Sequence, residues 1–447
     1  FTLYAYGEKF AIDHGSGNIS KQSESHNIVF VDGAGQHNAG HSIGTDGRIE
    51  SYLLSDFADY VMGDATAAYT TYSEFNAPGW PFSWCDWSWG YVGANPVLHA
   101  RRRLFVVRDA GTPPFFIITD DMDKDGSVHE YEWRLHTLKN NTVDISTNPI
   151  RIGAASADLD IHLLFPDFSE TTLSTEDYFN EVMDPNSTLL KVAYNGVNPR
   201  FAALLFPFDA TVAEPVVSRE IHPWGYVCRL DWGGGVRDVI IGNHSGGTVS
   251  WGPDSLLTDA SVAIVRTEDA HVIRHLLVDA TVFAYDGVDH VRFFDASATC
   301  ALDGDVVQID RGDAVFSLLD TGIEGIECRG ESIPFVSAAG YLFSESVVAS
   351  EGAPVPQALS VSVYPNPFNP TVFVRIETTT GSRVRVSVYD ASGSRVGELM
   401  DATTTTNVTT IRWDARNRSG KPVASGIYFL KVSANGYART EKLVVVR

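Results

Sequence analysis

Residues 1–36 read FTLYAYGEKFAIDHGSGNISKQSESHNIVFVDGAGQ, and this stretch carries the pattern that decides the fold. Side chains alternate in character over residues 1–6, as in a strand with one buried face. A later apolar run, Ile28–Val31, ends at Asp32-Gly33, and Asp-Gly beside such a run is a strong cue for a tight β-turn. The stretch therefore predicts strand, turn, strand, loop and strand. Asp13 and His26 lie where two of these strands meet the loop between them.

The same pattern continues along most of the chain. Apolar or alternating runs at 104–107, 115–119 and 129–136 are punctuated by further Asp-Gly pairs at 46–47, 125–126, 286–287 and 303–304. Short strands with a turn about every ten residues are typical of antiparallel sheets packed face to face. We therefore expect an all-β chain built around a large antiparallel β-sandwich.

Helix signals are scarce. The strongest is Ser174-Thr-Glu-Asp177 before YFNEVMD, which has the spacing of a helix capping box. A weaker helical pattern lies near residues 55–69. No repeat of 20–50 residues indicates a solenoid or a propeller.

A shift in composition divides the chain. Residues 361–447 hold 12 Lys and Arg against 6 Asp and Glu, whereas residues 1–360 hold 21 against 50. Residues 349–359, close to that shift, are rich in small residues and Pro and predict a linker. We therefore expect a sandwich domain at 1–348, with a subdivision near 245 left open, and an Ig-like sandwich at 360–447.

The bulk composition excludes several classes of function. A net charge of −23 offers no basic footprint for nucleic acid. No apolar run approaches the roughly 18 residues that span a bilayer. The chain begins with Phe1 rather than Met, which indicates a processed or truncated product.

The four cysteines are Cys85, Cys228, Cys300 and Cys328. They are too few and too scattered for a disulfide framework or a CxxC metal site. Two alternatives stay open: one disulfide, with Cys300 and Cys328 as the first choice because they are close in sequence, or buried free thiols.

The C-terminal region resembles a known family. Tyr364-Pro-Asn-Pro-Phe-Asn-Pro370 is followed by VSVYDASGSRV and then by IRWDARNRSGKPVASGIYFLKV. Over nearly all of 360–447 this combination is similar to the C-terminal sorting domain of proteins exported by the type IX secretion system. The resemblance implies an Ig-like fold, contact with the secretion and surface-attachment machinery, and a secreted or cell-surface location. A spacer without a sorting role is the alternative.

Residues 1–140 resemble the central β-sandwich of the heparinase II/III-like polysaccharide lyases. The resemblance lies in FTLYAYGEKFAIDHG, in HNIVFVDG and in the strands near 101–107 and 129–136. It implies a catalytic α/α-toroid before Phe1, where most catalytic residues would lie, so this chain alone is expected to be inactive. It also implies zinc, with Asp13 and His26 as ligands. The third family ligand is an upstream His, which leaves His14, His37 or His41 as substitutes.

The reaction that this resemblance implies is β-elimination on an anionic polysaccharide that contains uronic acid. A base removes the proton next to the sugar carboxylate, an acid protonates the leaving oxygen, and a cationic group stabilises the intermediate. Trp84, Trp87 and Trp89 are candidates for stacking on sugar rings, although a buried aromatic cluster is the commoner outcome. Arg101 and Arg103 are candidates for binding uronate carboxylates, with a solvated strand end as the alternative.

An acidic turn supplies a further candidate metal site. Asp121, Asp123 and Asp125 followed by Gly126 match the start of an EF-hand calcium loop. Glu132, which would complete the loop, lies about 20 Å of extended chain beyond Gly126 at roughly 3.3 Å per residue. A calcium-binding turn made by the three Asp side chains is therefore weighed against a solvated acidic turn, which we favour.

Two further classes of function compete with a secreted polysaccharide lyase. One is a non-catalytic carbohydrate-binding or cell-surface structural protein that reuses the sandwich. The other is a glycoside hydrolase, which needs two carboxylates across a cleft. No G-x-S-x-G motif indicates a serine hydrolase.

Overall fold

The computed structural model describes residues 1–13, 23–36, 47–70, 95–109, 111–178, 187–252, 255–338, 340–344, 360–364, 366, 368, 371–378, 381–390, 395–404, 408–417, 420–434 and 437–446. Strands dominate these residues, which confirms the all-β prediction. The chain divides into two compact units, Phe1–Val347 and Val348–Arg447, called here the N-terminal and C-terminal units. The predicted linker 349–359 lies outside the described residues. No helix among them is long and apolar enough to cross a membrane.

The first part of the N-terminal unit contains β1 (Leu3–Ala5), β2 (Glu8–Ala11), β3 (Val29–Val31), β4 (Arg48–Leu53), β5 (Ala58–Asp64), α1 (Thr66–Thr70), β6 (His99–Asp109), β7 (Thr112–Asp123), β8 (His129–Leu138), β9 (Thr142–Asp144), β10 (Ile150–Gly153), β11 (Asp158–Phe165), β12 (Thr172–Tyr178), β13 (Ser187–Gly196) and β14 (Phe201–Phe208). Short 3-10 helices span Ser23–Ser25 and Phe168–Glu170. As described, these strands form a β1-β2 hairpin, an eight-stranded sheet ordered β4-β5-β6-β7-β14-β11-β10-β9 and a four-stranded sheet ordered β12-β13-β8-β3.

The second part contains β15 (Val216–His222), β16 (Gly225–Gly233), β17 (Val236–Asn243), β18 (Val249–Trp251), β19 (Leu256–Thr258), β20 (Val262–Glu268), β21 (His271–Ala280), β22 (Val282–Tyr285), β23 (Val288–Phe293), β24 (Ala298–Asp303), β25 (Val306–Ile309), β26 (Phe316–Leu319), β27 (Gly325–Cys328), β28 (Glu331–Ser332), β29 (Phe335–Ala338) and β30 (Tyr341–Ser344). In the described part of the chain they form a nine-stranded sheet ordered β15-β16-β17-β20-β21-β24-β25-β27-β28 and a seven-stranded sheet ordered β18-β19-β22-β23-β26-β30-β29. Because β17 and β20 are neighbours in one sheet, the chain is continuous in structure across residue 245.

These four sheets lie in layers, in the order four-, eight-, nine- and seven-stranded. Three apolar cores separate them, and each core takes most of its side chains from two adjacent sheets. The β1-β2 hairpin adds Leu3, Phe10 and Ala11 to the core between the four- and eight-stranded sheets. On β14, Leu205 faces the core shared with the four-stranded sheet, and Leu204 faces the core shared with the nine-stranded sheet. On β17, Ile240 and Ile241 divide in the same way between the two cores that flank the nine-stranded sheet. Both central sheets are therefore covered on two faces.

Two hairpins have two-residue turns that begin with an Asp of positive φ. Asp286 and Gly287 join β22 to β23 with φ of 49° and 76°, as the Asp-Gly pattern predicts. Asp269 and Ala270 join β20 to β21 with φ of 48° and 64°. No glycine marks this second turn, so its sequence carries a weaker signal.

The capping-box start predicted at Ser174–Asp177 is wrong, and residues 179–184 of the helix expected after it lie outside the described residues. Residues 174–177 belong to β12, which pairs along its whole length with β13, and Glu176 forms an ion pair with Lys191 at 2.8 Å. The capping-box spacing is a local preference, and pairing with an adjacent strand overrides it. The weaker helical pattern near 55–69 is also largely replaced, by β5, and only the five-residue α1 is helical.

The predicted Cys300–Cys328 disulfide is also wrong. Cys228, Cys300 and Cys328 are free thiols, and Cys85 lies outside the described residues. Strand β25 separates the strand of Cys300 from that of Cys328. Strands are about 4.8 Å apart, so the two Cα atoms are about 10 Å apart, beyond the roughly 7 Å limit for a disulfide.

The C-terminal unit contains β31 (Ser360–Tyr364), β32 (Val372–Glu377), β33 (Arg383–Asp390), β34 (Arg395–Thr403), β35 (Val408–Trp413), β36 (Gly426–Ala434) and β37 (Tyr437–Val445). In its described residues, a sheet ordered β31-β32-β35 faces one ordered β34-β33-β36-β37. Alternate residues such as Val372, Val374 and Ile376 enter the shared core together with Trp413. A small two-sheet sandwich is thus present at the predicted place.

His275 is a buried base without a hydrogen-bond partner. It lies on β21, and neither ring nitrogen has a partner among the described residues. Phe283 lies 5.4 Å away between ring centroids. Burial, and then the proximity of His290, lower the pKa of His275 to about 3. The ring is therefore neutral in the folded protein over most of the pH range.

We expect acid to destabilise the protein partly through His275. The unfolded chain takes up a proton near its ordinary pKa of about 6.5, whereas the folded chain resists until about pH 3. The contribution of His275 to the free energy of unfolding is therefore complete above about pH 6.5. Below that pH it is lost, by at most about 1.4 kcal/mol per pH unit. Urea unfolding of His275→Leu should show a smaller loss between pH 7 and 4.5 than the parent. His271→Leu, on the exposed end of β21, is the control; equal losses in all three proteins would contradict the prediction.

Candidate functional site

The structure brings Asp13 and His26 together. Asp13 follows β2, and His26 follows the 3-10 helix Ser23–Ser25. Asp13 Oδ1 and His26 Nδ1 are 2.8 Å apart, within hydrogen-bonding distance, and both side chains are a little over a quarter exposed. His14, His37 and His41, the suggested substitutes for a third ligand, lie outside the described residues.

Asn27 holds the two loops of this pair in place. Its side-chain nitrogen donates to the carbonyl of Ile12 at 2.9 Å, and its side-chain oxygen accepts from the backbone N–H of His136 at 2.7 Å. Ile12 N–H also donates to the carbonyl of His136 at 2.9 Å. The segment after β2 and the segment before β3 are thereby fastened to β8. The sequence contains no spacing signal for this role of Asn27.

The Asp13–His26 geometry suits zinc only in part. No three His, Cys, Asp or Glu side chains among the described residues are grouped to hold a metal ion. His26 Nδ1 is engaged by Asp13, so a metal would bind Nε2, with Asp13 orienting the ring from outside the coordination sphere. Zinc with Asp13 and His26 as ligands therefore stays a prediction, and the described geometry favours direct binding by His26 with Asp13 orienting its ring.

The three acidic residues of the proposed calcium turn point to different partners. Asp121 contacts His99 and Asn198, each at 2.8 Å. Asp123 accepts from the backbone N–H of Gly126, and Asp125 accepts from that of Ser127. The turn is held by these local bonds, and the three carboxylates do not converge. A calcium-binding turn at Asp121, Asp123 and Asp125 stays a prediction.

The arginines of β6 differ in how well they are paired. Arg101 Nε lies 3.4 Å from Asp64, and Arg102 makes two bonds to Asp120, of 2.7 and 3.0 Å. The closest carboxylate to Arg103 is that of Asp279, at 4.0 Å. Trp84, Trp87 and Trp89 lie outside the described residues, so their stacking on sugars stays a prediction.

Arg103 lines a cavity of about 290 Å³ between the eight- and nine-stranded sheets, called here the inter-sheet pocket. Its walls come from β6, β7 and the start of β14 on one side and from β16, β17, β20 and the loop after β17 on the other. The lining consists of Arg103, Thr119, Asp120, Asp121, Arg200, Ala202, Tyr226, Gly242, Asn243, His244, Ser245, Gly246, Ser261 and Val262. Hydroxyl, amide, imidazole and guanidinium groups therefore surround one small space.

Charged groups at the rim of the pocket hold one another in position. Burial opposes ionisation of Asp121, but hydrogen bonds from His99 and Asn198 outweigh it and keep the pKa of Asp121 well below its usual range. Arg200 donates to the carbonyl of His244 at 2.5 Å, and its Nε lies 3.6 Å from Asp121. The φ of Arg200 is +44°, a conformation that non-glycine residues rarely adopt. The contacts of Arg200 with His244 and Asp121 stabilise this backbone conformation.

The pocket also contains a tyrosine and a histidine with shifted pKa values. Burial raises the pKa of Tyr226, and burial together with Arg200 lowers that of His244 to about 4. The two rings meet edge to face, with centroids 5.8 Å apart. Gly242 makes room for the tyrosine, since a Cβ at 242 would lie 2.2 Å from a carbon of the Tyr226 ring. Both side chains are neutral near pH 7 and are held in place.

In the C-terminal unit, Asn366 and Phe368 of the YPNPFNP motif are bonded to the last strand. Asn366 accepts from the backbone N–H of Val444 at 2.7 Å and donates to the carbonyl of Lys442 at 2.5 Å. Phe368 continues the pairing through its backbone and buries its ring 5.7 Å from that of Trp413. Asn366 and Phe368 thus connect the start of this unit to its last strand. These contacts explain the presence of Asn and Phe at those two positions of the motif.

Comparison with known proteins identifies the C-terminal unit. Residues 362–446 match the family model of the secretion system C-terminal sorting domain. A search of curated protein sequences gives no significant match. Two solved structures from Porphyromonas gingivalis are similar at 10% identity: PorZ, an essential surface component of the type IX secretion system, and dimeric latent PorU. The PorZ match covers 89% of this chain and 86% of PorZ with a TM-score of 0.16, and the PorU match covers 75% and 32% with a TM-score of 0.18.

These comparisons confirm one of the two resemblances. The C-terminal unit is a type IX secretion sorting domain, and the protein is therefore a secreted or cell-surface protein. At TM-scores below 0.2, neither solved structure establishes a shared fold. The resemblance of residues 1–140 to heparinase II/III-like lyases receives no support, and neither does an anionic polysaccharide partner.

We expect Asn366→Ala to loosen the last strand. The substitution removes two hydrogen bonds to β37, which should cost about 1–2 kcal/mol of local stability. Hydrogen exchange followed by mass spectrometry should show faster exchange in the peptide that contains Val444. Asn195→Ala, an exposed change in the N-terminal unit, should leave this peptide unaffected. Unchanged exchange in Asn366→Ala would rule out the fastening role.

The zinc prediction can be tested on stability. A metal that binds only the folded state raises the unfolding temperature, so added Zn²⁺ should raise it in the parent protein and not in His26→Gln. Asp13→Asn should weaken the effect without abolishing it, because Asp13 orients the His26 ring. His271→Gln, an exposed change elsewhere, is the control. An unfolding temperature that does not respond to excess Zn²⁺ argues against the site.

Proposed function

We propose that this protein is a surface-attached binding protein, whose C-terminal unit directs its export and whose N-terminal unit binds carbohydrate without cleaving it. This is the carbohydrate-binding alternative that the sequence leaves beside a lyase. The sorting domain places the protein where extracellular glycans are accessible. The inter-sheet pocket is the observation on which the binding part of the proposal depends.

The chemistry of the pocket favours binding over acid–base catalysis. A general acid or base works best when its pKa is close to the working pH. The pKa of His244 is about 4 and that of Tyr226 is raised, so near pH 7 the first is a poor proton donor and the second a poor base. Neutral hydroxyl and imidazole groups held in fixed positions still suit recognition of a sugar by hydrogen bonds.

A single assay separates binding from lyase activity. The purified protein is incubated with alginate, heparan sulfate and polygalacturonate, and also with neutral mannan and dextran. Eliminative cleavage forms an unsaturated uronate that absorbs ultraviolet light, and we expect no increase in this absorbance. We expect retardation of the protein in native gels that contain at least one of the polymers.

The controls make both outcomes decisive. A known alginate lyase confirms that the absorbance assay works. If absorbance rises with the parent protein and not with His244→Gln, the protein is a lyase and the proposal of binding without cleavage is wrong. Failure of every polymer to retard the protein, with no absorbance, would contradict carbohydrate binding itself.

A further inference from the structure

The outer face of the β1-β2 hairpin carries two exposed tyrosines and a lysine. Side chains alternate along β1, so Leu3 enters the apolar core, whereas Tyr4 points outward and is 65% exposed. Lys9 lies opposite Tyr4 on β2 and is also exposed. Tyr6 begins the two-residue turn of the hairpin and is 36% exposed. Tyr4, Tyr6 and Lys9 are called here the hairpin face.

Hydrogen bonds and core packing hold the hairpin in a fixed position. Glu8 accepts from the backbone N–H and from the hydroxyl of Ser156, at 3.0 and 2.6 Å. Asn141 donates to the carbonyl of Lys9 at 2.9 Å, and the ring of Phe10 on the opposite face is fully buried. The backbone of the hairpin face is therefore in place before any ligand binds. A surface that is already formed loses little conformational freedom on binding, which favours affinity.

Lys9 differs from the other described lysines of the N-terminal unit because it has no acidic partner. Residues 1–347 contain five lysines, of which Lys21 lies outside the described residues. Three others form ion pairs: Lys124 with Asp32, Lys139 with Asp177 and Lys191 with Glu176. In the described part of the chain, no ion pair involves Lys9. Its ammonium group is therefore available to an anion, although acidic residues outnumber basic ones in this unit.

Exposed tyrosines beside a free cation suit an acidic glycan. The apolar faces of sugar rings pack on aromatic rings, and the phenol oxygens form hydrogen bonds to sugar hydroxyl groups. The ammonium group of Lys9 attracts a carboxylate or a sulfate. A neutral glycan would leave this charge without a partner, so the combination favours an acidic one.

The hairpin face is separate from the inter-sheet pocket. Burial, and then the charge of Asp209, raise the pKa of Tyr6, which places the hairpin near the end of β14. Arg200, which lines the pocket, precedes the start of the same strand. At roughly 3.3 Å per residue of extended chain, Asp209 lies about 30 Å from Arg200. Substitutions in the hairpin face therefore leave the pocket unchanged.

We infer that the hairpin face binds an acidic polysaccharide, with the rings of Tyr4 and Tyr6 packed against sugar rings and the ammonium group of Lys9 against a carboxylate or a sulfate. The inference rests on the proposed carbohydrate-binding function. It adds a binding surface distinct from the pocket, and it names the class of polymer as acidic.

The test measures retardation of the full chain in native gels that contain increasing concentrations of alginate, polygalacturonate or heparan sulfate, with mannan and dextran as the neutral polymers. Mobility in a gel without polymer is the reference for each variant. We expect the acidic polymers to retard the parent protein more strongly than the neutral ones. Added salt should weaken this retardation, because it screens the attraction between Lys9 and the polymer.

The variants separate ring stacking from charge. Tyr4→Ala should weaken binding of the acidic polymers about tenfold because it removes a stacking surface. Tyr4→Phe keeps the ring and should retain most of the affinity. Lys9→Gln should weaken binding about threefold, as expected for one solvent-exposed charge. Tyr52→Ala on β4 and Lys431→Gln on β36 are matched exposed controls and should bind like the parent.

Stability separates a binding role from a structural one. Because Tyr4 is exposed, Tyr4→Ala should leave the unfolding temperature of the free protein unchanged. If it lowers that temperature, Lys9→Gln decides: weaker binding of the acidic polymers supports the inference, and binding like the parent overturns it. An equal loss of affinity in Tyr4→Ala and Tyr52→Ala would also overturn it.

The remaining outcomes distinguish this inference from the proposed function. If Tyr4→Ala and Lys9→Gln bind like the parent while a polymer still retards it, the glycan binds elsewhere. If neutral polymers retard the parent as strongly as acidic ones, the class of polymer is wrong. Either result overturns the inference and leaves carbohydrate binding intact. If no polymer retards the parent, both the inference and the proposed function are wrong.

Discussion

The eight- and nine-stranded sheets are each covered on both faces, and this constraint governs the rest of the N-terminal unit. Successive side chains of a strand point to opposite faces, so a doubly covered strand needs apolar residues at every position. All eight residues of β14, from Phe201 to Phe208, are buried. The covering four- and seven-stranded sheets supply the outer layers of the cores. If either face of a central strand were exposed to solvent, one of the apolar cores would be exposed as well.

One charged pair buried between the two central sheets is fully hydrogen-bonded. Arg266, 1% exposed, makes bonds of 2.7 and 2.6 Å to Asp238, which is 0% exposed. Its remaining amino group reaches Asp109 of the eight-stranded sheet at 3.2 Å, and Trp232 donates to Asp238 at 2.8 Å. Removing one partner of such a buried pair typically costs about 3–5 kcal/mol. The pair therefore links the two sheets and tolerates little change.

The inter-sheet pocket lies at the same interface and differs from this pair in one respect. Each guanidinium nitrogen of Arg266 has a carboxylate partner, whereas Arg103 Nε, Thr119 Oγ1 and the Tyr226 hydroxyl have no hydrogen-bond partner among the described residues. One interface thus contains a fully paired polar network that links the sheets and, near the pocket, polar atoms that are buried without a partner among the described residues. Polar residues occur both at the Arg266–Asp238 pair and at the pocket. The two places differ in whether those residues have hydrogen-bond partners.

Local sequence patterns predicted the fold class and several turns, but they could not locate the site. Asp286-Gly287 marks its hairpin because positive φ is a property of those two residues. Ser174–Asp177 misleads because a capping-box spacing is equally local, while β13 is supplied from elsewhere in the chain. Arg103 and Asp121, predicted to bind a uronate and calcium respectively, line one pocket, which their separation in the sequence did not indicate. Tyr226, His244 and Gly242 carried no signal of their own.

The sequence by itself determined the β-rich architecture, the break in charge before the last domain and the sorting domain that sends the protein to the surface. Those features depend on alternation, composition and a motif, all of which are readable over short distances. Only the tertiary structure decided that four sheets form layers, that Cys300 and Cys328 stay apart, and that Arg103, Thr119 and Tyr226 face one cavity. Tyr226 lies more than a hundred positions after Thr119, and packing of two sheets, rather than spacing along the chain, brings these two residues to the same pocket.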